Sequence, residues 1–137
     1  MPEILAFHHL SLSVTDLGRS TKWYQQLLGL EVVAELEGKG FRRNRLRSPT
    51  SGLTITLTVH DQRASDIFDE RRPGMDHVAL LVGAGEVEDL KRQFEALGVV
   101  HSEIKTTAAG AAMITLRDPD NIQIEVLGEP QPSDPAG

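Results

Sequence analysis

The chain of 137 residues contains no cysteine. That excludes a disulfide framework, a thiol nucleophile and a thiolate metal site, so any metal must sit on His, Asp or Glu. It also lacks an apolar run long enough to span a bilayer, and no stretch reads as a signal peptide. The expected compartment is therefore the cytoplasm, with no membrane partner. A basic surface is missing too: the formal net charge is −6, which argues against nucleic acid as a partner. What remains is ordinary for a globular protein, 39% hydrophobic and 25% charged, which excludes whole-chain disorder. The length suits one compact domain with a core of its own.

An internal repeat organises that domain. HLSLSV (9–14) matches HVALLV (77–82), and LLGLEVVAE (27–35) matches ALGVVHSE (96–103). LRSPTSGLTIT (46–56) then matches LRDPDNIQIE (116–125), with one residue inserted in the first copy. Three matches in the same order define two similar modules, residues 4–60 and 75–128, joined by a polar linker, 61–74. The tail 129–137, EPQPSDPAG, has three prolines and little that is apolar, and is expected to be flexible.

Each module reads strand, helix, strand, strand, strand, an α+β architecture of two βαβββ units. In the first, strands are expected over 7–14, 31–37, 41–47 and 53–60. A helix over 17–28 follows Asp16 as N-cap and ends at Gly29. In the second, strands are expected over 75–82, 99–105, 111–117 and 121–127. The helix there carries Val87, Leu90, Phe94 and Leu97 on one stripe and ends at Gly98. One helix covers one face of a four-stranded sheet, so the other face is free for a site or a partner.

Alternation along the strands sorts the candidate site residues. Leu10, Leu12 and Val14 form the apolar stripe that packs on the helix. His8 shares it, whereas His9 lies opposite with Ser11 and Ser13. By the same rule His77 lies opposite Val78, Leu80 and Val82, and Glu125 lies opposite Ile122, Ile124 and Val126. Two imidazoles and a carboxylate on the faces away from the helices are a donor set for one divalent ion: Fe, Mn, Zn, Ni or Co. Thr56 aligns with Glu125 and is a poor ligand, so three protein ligands and open positions are expected. His8 reads as structural, His60 and His101 as surface or rim residues, and Trp23 and Tyr24 as core or interface. DPDN (118–121) is a turn.

The stretch FRRNRLRS (41–48) adds four arginines. Alternation sends Arg43, Arg45 and Arg47 to the face away from the helix, where a guanidinium suits a carboxylate or phosphate. The competing reading is a solvated strand whose arginines pair with Glu31, Glu35 and Glu37 on the neighbouring strand. The two readings weigh equally for Arg43 and Arg47; Arg45 leans toward substrate.

FHHLSLSVTDLGRSTKWYQQLLGLEVV, MDHVALLV and LRDPDNIQIEVLG together resemble the vicinal oxygen chelate superfamily. It includes glyoxalase I, fosfomycin resistance transferases, extradiol dioxygenases, methylmalonyl-CoA epimerase and bleomycin resistance proteins. The resemblance covers nearly everything except linker and tail. It implies paired βαβββ modules wrapping a metal site, commonly in a homodimer. The family's ligand positions fall on His9, His77 and Glu125. The subgroup patterns fit less well. Thr56 stands where glyoxalase I and the epimerase have a fourth ligand or base. Thr115 stands where fosfomycin transferases and extradiol dioxygenases carry a Tyr. Lys105 and Ser11 resemble the fosfomycin enzymes, but Ala109 stands where they have Ser.

Two functions remain open at this point. One is a metal-dependent lyase, isomerase or dioxygenase acting on a small, oxygen-rich, anionic substrate. Arg45, Arg43, Thr56, Ser11 and Thr115 would contact that substrate, and Glu125 or metal-bound hydroxide would serve as base. The other is a bleomycin-resistance-like protein that sequesters a small toxic molecule; such a protein does not require the intact triad.

Overall fold

The computed structural model describes residues 1–62 and 67–130. The chain divides into two compact units, Met1–Asp66 and Ile67–Gly137. The expectation of a flexible tail falls mainly on residues 131–137, outside the described residues, as does part of the linker.

In the first unit, β1 (Leu10–Ser13) leads into α1 (Leu17–Leu28), followed by β2 (Glu31–Gly38), β3 (Phe41–Arg47) and β4 (Thr54–His60). The sheet order is β1-β4-β3-β2, with β1 parallel to β4 and the other pairs antiparallel. The helix starts where the sequence says it should. Asp16 is extended, and its side chain accepts from the Arg19 amide at 3.0 Å, supplying one of the acceptors that the first turn lacks. Gly29 closes the helix at φ 65°, a left-handed turn that glycine adopts without a Cβ penalty. Tyr24 and Leu27 of α1 are buried with Leu12, Leu46, Ile55 and Leu57 of the sheet. Burial of each such apolar side chain is worth about 1.5–3 kcal/mol. Asn44 on the same face donates to Thr21 of α1 at 3.0 Å, which pins β3 to the helix.

The second unit repeats the plan: β5 (Val78–Val82), α2 (Glu86–Ala96), β6 (Lys105–Thr106), β7 (Ala112–Arg117) and β8 (Gln123–Gly128), in the order β5-β8-β7-β6. Val87 and Phe94 of α2 are buried, along with Ile114, Leu116, Ile124 and Val126 of the sheet. The registers repeat as well. Ser11 pairs with Thr56 and Arg45 with Thr56; Ala79 pairs with Glu125 and Thr115 with Glu125. The alignment of Thr56 with Glu125 and of Arg45 with Thr115 is therefore a property of the fold.

Three local expectations need correction. The first strand begins at Leu10, so alternation does not reach His8; that residue is exposed rather than tucked under the helix. The expected strand over 99–105 shrinks to Lys105–Thr106 plus an isolated bridge between His101 and Leu116. Leu97 lies one residue past α2 and is 55% exposed, so it is not part of the helix's buried stripe. Within the linker, Phe68 is bonded to the 118–121 turn of the second unit. The Phe68 amide donates to the Asp120 carbonyl at 3.1 Å, and Asn121 Nδ2 donates to the Phe68 carbonyl at 3.1 Å. Among the described residues, no helix is long and apolar enough to cross a membrane.

Candidate functional site

On the first unit, the sheet face away from α1 carries three cross-strand rows. Arg43 stands opposite Thr58, Arg45 opposite Thr56 and Arg47 opposite Thr54. In the outer rows the arginine Nε donates to the threonine hydroxyl, at 2.9 Å from Arg43 and 3.3 Å from Arg47. The Thr58 hydroxyl also bonds Ser11 Oγ at 3.2 Å. The middle row differs. Arg45 Nε and Thr56 Oγ1 are both buried, and neither has a hydrogen-bond partner. An unsatisfied buried polar group of this kind costs about 1–3 kcal/mol, so two in one row mark a place where an acceptor is missing.

A β-bulge takes the expected glutamates away from the positions across the strand from two of the three arginines. Register shifts between Val32 and Ala34. Without the shift, Glu31, Glu35 and Glu37 would share one face with the arginines. With it, Glu35 stands opposite Asn44 and Glu37 opposite Arg42, on the helix side, while Arg45 faces Ala34 and Arg43 faces Leu36. Only Arg47 keeps a glutamate, Glu31, across the strand. Arg43 is instead fixed by stacking: its guanidinium lies 4.2 Å from the centre of the Phe41 ring. That ring lies over Gly38, where an added Cβ would come within 2.2 Å of it. Only glycine leaves room for the ring that carries the cation.

On the second unit, His77 immediately precedes β5 and Glu125 lies on β8. His77 Nε2 is 3.3 Å from Glu125 Oε2, and His77 Nδ1 is 2.6 Å from Asp76 Oδ1. Hydrogen bonding to Asp76 raises the His77 pKa; desolvation opposes the shift, and the charges of Glu125 and Asp76 add to it. Ala79 and Thr115 flank Glu125 on the neighbouring strands, and both are small. Asp76 was not among the residues picked from the sequence. Strand alternation would have pointed it away from His77, but residues 75–77 precede β5 and are free of that rule.

His9 lies just before β1 and is exposed, with its Nδ1 2.7 Å from Nδ1 of His8. The structure thus brings Ser11, Arg43, Arg45 and Thr56 to one face of the first unit, and His77, Glu125 and Thr115 together in the second. Among the described residues, no group of three or more His, Asp or Glu is disposed to hold a metal ion. The His77–Glu125 pair still suits one. A carboxylate on Nδ1 fixes the imidazole so that Nε2 and a carboxylate oxygen converge, the usual support of a histidine ligand.

Two βαβββ modules with the same strand order, each a four-stranded sheet with one helix, define a repeated-module α+β architecture. The sequence model of the Glyoxalase/Bleomycin resistance protein/Dioxygenase superfamily matches residues 6–126, and the chain belongs to that superfamily. Among solved structures it is similar to a glyoxylase/bleomycin resistance protein/dioxygenase domain from Frankia sp. EAN1pec. The TM-score is 0.87 at 27% identity, over 96% of each chain. It is also similar in fold to the fosfomycin resistance protein FosX from Listeria monocytogenes. The form complexed with Mn(II) and sulfate gives a TM-score of 0.69 at 24% identity, covering 93% of this chain and 94% of that one. A mutant form, complexed with Mn(II) and 1S,2S-dihydroxypropylphosphonic acid, gives 0.69 at 21% identity, covering 91% and 93%. No curated protein matches the sequence.

Proposed function

We propose that the protein is a metal-dependent enzyme acting on a small, oxygen-rich substrate that carries an anionic group. His9, His77 and Glu125 would hold one divalent ion, and Arg45, Arg43, Thr56, Ser11 and Thr115 would contact the substrate. The observation that carries the reading is the orphaned middle row. Arg45 Nε can only donate and the Thr56 hydroxyl can donate, so an oxyanion satisfies both. No carboxylate stands across the strand from Arg45 to take that place. The FosX structures hold Mn(II) with sulfate or a phosphonic acid, ligands of the same kind.

A bound divalent ion supplies Lewis acidity to substrate oxygens as charge develops on them. The chain's own residues do the rest. Arg45 and Thr56 hold the anionic group, and Arg43, clamped by Phe41 and Thr58, presents a positive charge whose position is already set. Asp76 keeps the His77 ring from rotating. Glu125 is a ligand and the proposed base for any proton removed from the substrate.

The test is Mn(II) titration of the full-length protein and of single variants. Wild type should bind one equivalent, and His9→Ala, His77→Ala and Glu125→Ala should each lose binding while remaining folded. His8→Ala should bind as wild type does. Wild type that binds an oxyanion equally well with and without metal, and turns nothing over, would instead be a sequestering protein.

A further inference from the structure

We propose that Gln123, Arg117 and Glu70 form a positioning chain that sets the Glu125 carboxylate, an inference resting on the reading of Glu125 as a metal ligand. The contacts run without a break through the second unit. Glu70 takes the Arg117 guanidinium in a two-oxygen fork: Arg117 Nη2 donates to Oε1 at 2.9 Å and Nη1 to Oε2 at 3.1 Å. Arg117 Nη2 also donates to Gln123 Oε1 at 3.2 Å, and Gln123 Nε2 donates to Glu125 Oε1 at 3.1 Å. The other carboxylate oxygen, Oε2, faces His77 Nε2.

The residue types explain why the chain has one direction. A guanidinium only donates and a carboxylate only accepts, so the amide between them must turn its oxygen to Arg117 and its nitrogen to Glu125. Glutamate at position 123 would repel Glu125, and lysine there would offer Arg117 nothing to donate to. Strand geometry supplies the placement. Arg117 and Gln123 are cross-strand partners at the end of β7 and β8, and Gln123 and Glu125 share a face two residues apart. Arg117 cannot swing away easily, because its Nη1 also donates to the Asn121 carbonyl at 3.0 Å. Glu70 lies outside the sheet, on the segment that Phe68 anchors to the 118–121 turn through Asp120 and Asn121. Its carboxyl is held down to about 2 by the hydrogen bond from Arg117, so it stays ionised.

The consequence is that one Glu125 oxygen is engaged and the other is left toward His77. Glu125 is thereby set as a one-oxygen ligand. Gln123 is a positioning residue, and Arg117 and Glu70 act through it.

The experiment is Mn(II) titration of the full-length protein, read by the electron paramagnetic resonance signal of the free ion. Crystal structures of metal-free wild type and Gln123→Leu accompany it. Partners of this kind are worth roughly 10–100-fold in metal affinity. Gln123→Leu should weaken Mn(II) at least about tenfold with an unchanged melting temperature. Arg117→Lys should weaken it less, and Glu70→Gln, which retains one acceptor for Arg117, least. In the Gln123→Leu crystal, the Glu125 carboxylate should leave its place beside His77. Equal Mn(II) affinity in Gln123→Leu, or a Glu125 side chain that does not move, overturns the proposal. Folded wild type that binds no Mn(II) overturns the metal reading instead, and the crystallographic comparison then decides the positioning chain by itself.

Discussion

Consider Thr56 replaced by valine. The side chain keeps its branched shape, so packing in the central strand is preserved, and the only loss is the hydroxyl. That hydroxyl is buried and makes no hydrogen bond, so its removal should stabilise the ligand-free protein by about 1–2 kcal/mol. The same change two residues along should do the opposite. Thr58 accepts from Arg43 at 2.9 Å and bonds Ser11 at 3.2 Å, so Thr58→Val strands a guanidinium nitrogen and should destabilise by about 1–2 kcal/mol. For a chain of this size unfolding in one step, each kcal/mol moves the melting temperature by roughly 3–4 °C. The two isosteric variants should therefore part in opposite directions from wild type in calorimetry. Ligand binding should reverse the order for Thr56→Val. A hydrogen bond to a charged group is worth about 1.5–3 kcal/mol, so affinity for inorganic phosphate should fall about tenfold or more. A Thr56→Val protein that melts below wild type would mean that the hydroxyl is satisfied within the protein, and the middle row would then not be an anion site.

Two further outcomes follow from neighbouring geometry. Arg45→Lys keeps the charge but loses the planar donor set, so phosphate affinity should fall about tenfold; unchanged affinity would return Arg45 to the role of a solvated strand residue. At the other site, Glu70 has its carboxyl depressed from 4.5 to about 2 by Arg117. A depressed acid stabilises fully above its unfolded value and ceases to do so as pH falls through its folded value. Hydrogen-exchange protection of the Phe68 amide should therefore fade in wild type between pH 4.5 and about 2, whereas Glu70→Gln should show no such transition.

Helix α1 and strand β3 were legible residue by residue, because caps and alternation are local signals: Asp16, Gly29 and the run from Phe41 to Arg47 need no distant partner. The repeat went further and aligned Thr56 with Glu125 across the two modules. What escaped was whatever depends on one local irregularity or on side-chain reach. The bulge at Val33 turns Glu35 and Glu37 to the helix side, and nothing in EVVAELEG announces it. The strand expected over 99–105 has the β-branched residues but finds a pairing partner only at its end and in one bridge. Alternation implies that Gln123, two residues before Glu125, shares its face. It could not show that Arg117 and Glu70 stand behind it, since Glu70 is 47 residues from Arg117 and belongs to no regular element.

The parallel pairing of each module's first strand with its last has a consequence for synthesis. Among the described residues, β1 has no strand neighbour other than β4, and β5 none other than β8. As the chain leaves the ribosome, the first sheet can close once residue 60 has emerged, while β5 and the histidine just before it wait for residues 123–128. Each sheet is thus completed by its final strand, and all the strands of the first are made before those of the second. A nascent chain arrested between residues 83 and 122 carries all the strands of the first sheet and a β5 without the strand it pairs with. That exposed edge is the kind of surface to which other chains add, and it is covered only when β8 arrives.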